Sequence, residues 1–133
     1  MRLEDFLSEN TTLKTVAKDD LIFSEGAQAE AAYYVIEGRV DIFKESETGA
    51  SVMATLGAGD IFGEMALLRY DEYTLSARAN EAGDVKLYVI TPEVLQGVIR
   101  EAHPLVKAIL DMLVERVHDV NEVLIDIDQA SHL

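Results

Sequence analysis

Gly57-Ala58-Gly59-Asp60-Ile61-Phe62-Gly63-Glu64-Met65-Ala66-Leu67 is the stretch on which the fold is decided. A glycine-rich turn leads into Phe62 to Leu68, a segment too rich in helix formers for a strand, so a short helix is expected there. Gly63 lets the backbone approach a ligand closely. A helix opening at that point turns unpaired amide N–H groups toward the ligand space, which favours an anion such as phosphate. Glu64 stands where it can accept hydrogen bonds from a sugar hydroxyl. The same residues also make a plain glycine turn with a favourable acidic side chain at a helix N-terminus. This stretch alone leaves both readings open.

Working outward, the chain from Thr11 to Ile90 reads as β structure. Glycines at Gly26, Gly38, Gly49 and Gly83 separate short runs rich in β-branched and aromatic residues. These are Tyr33 to Ile36, Val40 to Phe43, Ser51 to Leu56 and the alternating Val85 to Ile90. Short strands with turn signals every ~8–12 residues predict an all-β sandwich or barrel, with the short helix inserted in it. Upstream, Leu3, Phe6 and Leu7 share one face of a short amphipathic helix. Downstream, Thr91 is placed to cap a helix, with Pro92 as its first residue and Glu93 as a favourable first-turn acid. A second helix is expected from Pro104. There Val106, Leu110, Leu113, Val117, Val120, Leu124 and Ile127 recur at alternating spacings of four and three, a heptad seam. Leu105, Ile109 and Met112 widen the apolar face at its start, giving the first turns two surfaces to bury. The expected organisation is a single domain over 1–133: an N-terminal helix in 1–10, the β region in 11–90 and C-terminal helices in 91–127.

The run Gly57 to Asp60 followed by Phe62 to Leu67 resembles the phosphate-binding cassette of cyclic-nucleotide-binding domains of the Crp/Fnr type. The family pattern is a Gly-x-Gly-Asp turn and then Phe-Gly-Glu-x-Ala-Leu, and it stands here without a gap. Ile22-Phe23-Ser24-Glu25-Gly26 is similar to the family's first turn, and Tyr34-Val35-Ile36-Glu37-Gly38-Arg39-Val40 to its hairpin. Val85 to Ile90, the Pro92 helix and the long final helix match in order and length. The resemblance implies a mainly β fold with flanking helices: an eight-stranded antiparallel β-roll of jelly-roll type, an inserted cassette helix and a long C-terminal helix. It implies cAMP or cGMP as the ligand, with Phe62, Gly63, Glu64, Met65, Ala66, Tyr73, Thr74 and Asn121 at the contacting positions.

One position departs from the pattern. The family's cassette carries an arginine about nine residues after the glutamate, paired with the cyclic phosphate; here that position is Tyr73, followed by Thr74. A hydrogen bond to a charged group contributes roughly 1.5–3 kcal/mol, so its loss weakens binding roughly tenfold to a hundredfold. Arg69 and Arg78 are the nearby cations; Arg78 shares strand parity with Thr74, which would place both on one side. Both arginines also read as solvated surface side chains. Tyr73 can offer its hydroxyl, stack on a base, or simply pack.

The formal net charge of the 133-residue chain is −14, which opposes nucleic-acid binding, and the sequence has no basic patch to offset it. The chain stops at Leu133, near the end of the family's long helix and before any helix-turn-helix, so no DNA partner is expected. No apolar run approaches the roughly 18 residues of a membrane span. Glu4, Asp5 and Glu9 do not suit a secretory signal, so a cytoplasmic protein with no membrane partner is expected. The absence of cysteine removes disulfides and thiolate chemistry, in keeping with a reducing compartment. His103, His118 and His132 all follow the β region, leaving the roll without a histidine metal site or a general-base histidine. No cofactor, metal or catalysis is therefore expected.

The expected function is a sensor for a cyclic nucleotide or related small anion. Ligand binding would move the C-terminal helices, with a homodimer formed through Leu110, Leu113, Val117, Val120 and Leu124 and a downstream protein that the sequence does not name. The alternative, motivated by Tyr73, is a degenerate roll that binds no nucleotide and serves as a dimerisation or docking module.

Overall fold

The computed structural model describes the backbone of residues 1–131 and side chains through 117. The expectations for Val120, Asn121 and Leu124 lie outside the described side chains. In chain order the elements are α1 (Leu3–Asn10), β1 (Thr12–Val16), β2 (Leu21–Phe23), β3 (Ala32–Glu37), β4 (Val40–Ser46), β5 (Gly49–Leu56), β6 (Ile61–Phe62), α2 (Glu64–Leu68), β7 (Ser76–Ala79), β8 (Val85–Ile90), α3 (Pro92–Glu101) and α4 (Pro104–Ser131). The strands form two four-stranded antiparallel sheets, ordered β1-β8-β3-β6 and β2-β7-β4-β5. This is the eight-stranded β-roll with an inserted helix that the cassette resemblance implies.

Strand periodicity explains how the first sheet holds two cores. Successive side chains of β3 point to opposite faces. Tyr33 and Val35 enter the interior between the sheets, with Val40, Phe62, Ala77, Ala79, Val85 and Leu87. Ala32 and Tyr34 enter a second cluster with Leu7, Leu67 and Ile90, against which Val94 and Leu95 pack. A strand buried on both faces reads as a continuous apolar run, which is what Tyr33 to Ile36 shows in the sequence. Of the expected α1 face, Leu7 is buried and Leu3 is exposed.

On the other sheet, the buried carboxylate of Asp41 is fully engaged. Its Oδ1 accepts from Asn80 Nδ2 at 2.9 Å and from Thr55 Oγ1 at 3.2 Å, and its Oδ2 lies 3.5 Å from Arg78 Nε. The network ties β4, β5 and the end of β7 together. The hairpin before β4 depends on Gly38, whose φ is +94° and where a Cβ would lie 2.6 Å from the Asp84 carbonyl oxygen.

Two compact units divide the chain, Met1–Leu95 and a second one starting at Gln96. Thr91 Oγ1 accepts the Val94 N–H at 3.3 Å, capping α3 as its sequence suggests. At the start of α4, His103 Nδ1 accepts the Leu105 N–H at 3.1 Å. Along α4, Leu105, Val106, Ile109, Met112, Leu113 and Val117 are exposed and Leu110 is half-buried. The helix runs to Ser131, beyond the expected 127. No described helix is long and apolar enough to cross a membrane.

Candidate ligand-binding site

The inserted helix begins two residues later than its composition suggests. Phe62 stays in β6, paired with Tyr33, and Gly63 turns the chain at φ +78° before Glu64 opens α2. The preceding turn is fastened by Asp60, whose Oδ2 accepts the Gly57 N–H at 2.9 Å. It is held to β3 by Val35 N–H donating to the Asp60 carbonyl and Gly59 N–H donating to the Val35 carbonyl, both at 2.9 Å. A Cβ on Gly63 would meet Phe23 Cε2 at 3.3 Å and both the Ala31 carbonyl oxygen and Tyr73 Cε1 at 3.4 Å. Gly63 therefore answers to its dihedral and to tight packing together.

In front of this turn lies a cavity of about 190 Å³. Phe62, Gly63, Glu64, Met65, Ala66, Tyr73 and Thr74 all line it, so seven positions singled out in the sequence stand around one space. Ile42, Ile61, Leu75 and Phe23 complete the wall; Ile61 lies in the cassette stretch and Phe23 in the first-turn match, but the sequence singles out none of the four as a contact. Among the described residues, Glu64 is the only carboxylate on the wall, and no lysine or arginine is there. Its partial burial pushes the Glu64 carboxyl above the usual range, partly offset by a hydrogen bond from its own backbone.

Tyr73 is a core residue. It is 5% exposed, and its ring stacks on Phe23 at 3.7 Å between centroids and 7° between planes. Phe23 continues to Phe62 at 5.9 Å, and Phe62 to Tyr33 at 5.4 Å, so an aromatic layer backs the cavity. The Tyr73 hydroxyl donates to the Ala31 carbonyl and accepts the Ala31 N–H at 3.3 Å. Burial raises the Tyr73 phenol and pushes that of Tyr33 up to about 12. Tyr73 is thus packed, with its hydroxyl engaged by Ala31, while it also lines the cavity. Thr74 is exposed at the rim.

The expectation that Arg78 shares a side with Thr74 is corrected. Thr74 precedes β7, so strand parity does not extend to it. Arg78 instead pairs with Asp41, its guanidinium carbon 4.6 Å from the centroid of the Phe43 ring. Arg69 stands at the C-cap of α2. Among the described residues, no group of three or more His, Asp or Glu side chains could hold a metal ion.

The cyclic nucleotide-binding domain model matches residues 13–102. This chain belongs to the cyclic nucleotide-binding domain family. Among members, it is 38% identical over 96 residues to a cyclic AMP receptor protein of Thermus thermophilus, covering 71% of this chain and 43% of that protein. It is 30% identical over 129 residues to a Pycsar effector protein of Pseudomonas aeruginosa, covering 96% of this chain and 40% of that protein. Among solved structures, an EAL enzyme in a form bound to cAMP and cyclic-di-GMP superposes with a TM-score of 0.73 at 32% identity, covering 83% of this chain and 29% of the enzyme. The chain thus spans less than half the length of these relatives. The matched family is a ligand-binding regulatory domain and not a catalytic one.

Proposed function

We propose that this cyclic nucleotide-binding domain is a sensor that takes a cyclic nucleotide or related small ligand in the cavity before α2 and passes the event on through its helices. The observation that carries the reading is the single cavity lined by Gly63, Glu64, Met65, Ala66 and Thr74. Glu64 accepts hydrogen bonds from the ribose, and the turn at Gly63 gives close access to backbone. Transmission is supported by Leu67, which shares a buried cluster with Leu7, Tyr34 and Ile90, on which Val94 and Leu95 of α3 pack. A ligand that prefers one position of α2 then favours one arrangement of that cluster. Calorimetric titration with cAMP and cGMP tests the reading. Saturable micromolar binding of at least one of the two is expected.

The second reading, a docking module that binds no nucleotide, is favoured by the Tyr73 hydroxyl already committed to Ala31. It expects no heat and no thermal shift up to millimolar nucleotide.

A further inference from the structure

We propose that the cavity prefers an uncharged ribose-bearing ligand, a nucleoside, over the corresponding cyclic phosphate. This narrows the sensor reading and rests on it. Three observations carry it. First, among the described residues Glu64 is the only charged group on the cavity wall. An anion entering the cavity meets a carboxylate at short range, and among the described residues no wall cation offsets it. Second, the depth behind Gly63 is filled. The Tyr73–Phe23 stack closes to 3.7 Å, and Tyr73 Cε1 and Phe23 Cε2 stand within 3.4 Å of the position a Gly63 Cβ would take. A phosphate cannot reach that space without breaking the two Ala31 hydrogen bonds of Tyr73. Third, about 190 Å³ is below the roughly 300 Å³ at which pockets for drug-sized ligands begin, so the cavity admits a sugar with the base outside it. A ribose diol needs an acceptor and no countercharge, and Glu64 is a strong acceptor.

The test is parallel titration of the full chain with adenosine, guanosine, cAMP and cGMP at low and moderate salt. The expected result is at least about tenfold tighter binding of a nucleoside than of its cyclic phosphate, unchanged by salt. Glu64→Gln, which keeps the shape and removes the charge, should shift the two ligands oppositely. It weakens the nucleoside about tenfold and leaves the cyclic nucleotide unchanged or tighter. A merely structural role for Glu64 would weaken both, and that result overturns the proposal. Cyclic nucleotide binding as tight as or tighter than nucleoside also overturns it while leaving the sensor reading intact. No binding of any of the four by a folded protein overturns the sensor reading and this inference with it.

Discussion

At the scale of single residues, Glu64 joins a cost in stability to a role in binding. Its carboxyl is raised by burial, so the fold favours the protonated form. The corresponding stability is present below the usual glutamate range and is lost as pH rises through the raised value. At neutral pH the ionised side chain therefore strains the empty protein. Glu64→Gln is expected to raise the melting temperature at pH 7, with the gain shrinking as pH falls through the raised value and vanishing only below the usual glutamate range. Thermal melts across that range check it, and a melting temperature lowered at every pH would contradict the assignment. Tyr73 shows where a single sequence stops being informative. That an arginine position holds tyrosine is plain from residues 57–74. That the ring lies on Phe23 and the hydroxyl on Ala31 depends on partners 50 and 42 positions away, which no local pattern connects.

Among the elements, glycine separates two physical cases that the sequence prints alike. Gly38 is held at φ +94°, and an alanine there would put its Cβ 2.6 Å from the Asp84 carbonyl oxygen and 3.1 Å from Val85 Cα. Backbone strain of about 1–3 kcal/mol adds to a clash with main chain that cannot swing aside. Gly97 lies within α3 with open space where its Cβ would be. Gly38→Ala is expected to lower unfolding free energy by about 3 kcal/mol or more, the sum of those two costs. Gly97→Ala is expected to raise it by about 0.5–1 kcal/mol through the helix preference for alanine. Denaturant titrations of the two variants read both signs. The strands legible in the sequence were β3, β4 and β8, whose side chains alternate or are buried on both faces, and β5, which is exposed nearly throughout and was marked by composition and its flanking glycines alone. The two-residue β6 was not, because its pairing to Tyr33 and Tyr34 is a tertiary contact. Sheet order was illegible for the same reason: β1 finds β8 across the length of the roll, and the resemblance, rather than periodicity, supplied that topology.

For the molecule as a whole, the two readings part over what the long helix does. The heptad seam is visible in the sequence, and Leu113 and Val117 on it are exposed, as are Val106 and Ile109. Exposed apolar residues at helical spacing gain by burial against another surface, roughly 1.5–3 kcal/mol for each large side chain fully covered. Opposing this is a chain charge of −14, which doubles on pairing. The balance predicts a homodimer at micromolar concentration that tightens as salt screens the repulsion, the reverse of an association driven by opposite charges. Light scattering from low to moderate salt measures it, and Leu113→Asp together with Val117→Asp should leave a folded monomer. A sensor would shift this equilibrium when ligand is added, because a ligand that favours one helix arrangement must change the affinity of surfaces carried by that arrangement. A docking module would dimerise to the same extent with or without ligand. A monomer under every condition would remove the seam as an interface, leaving the cavity before α2 to carry the function.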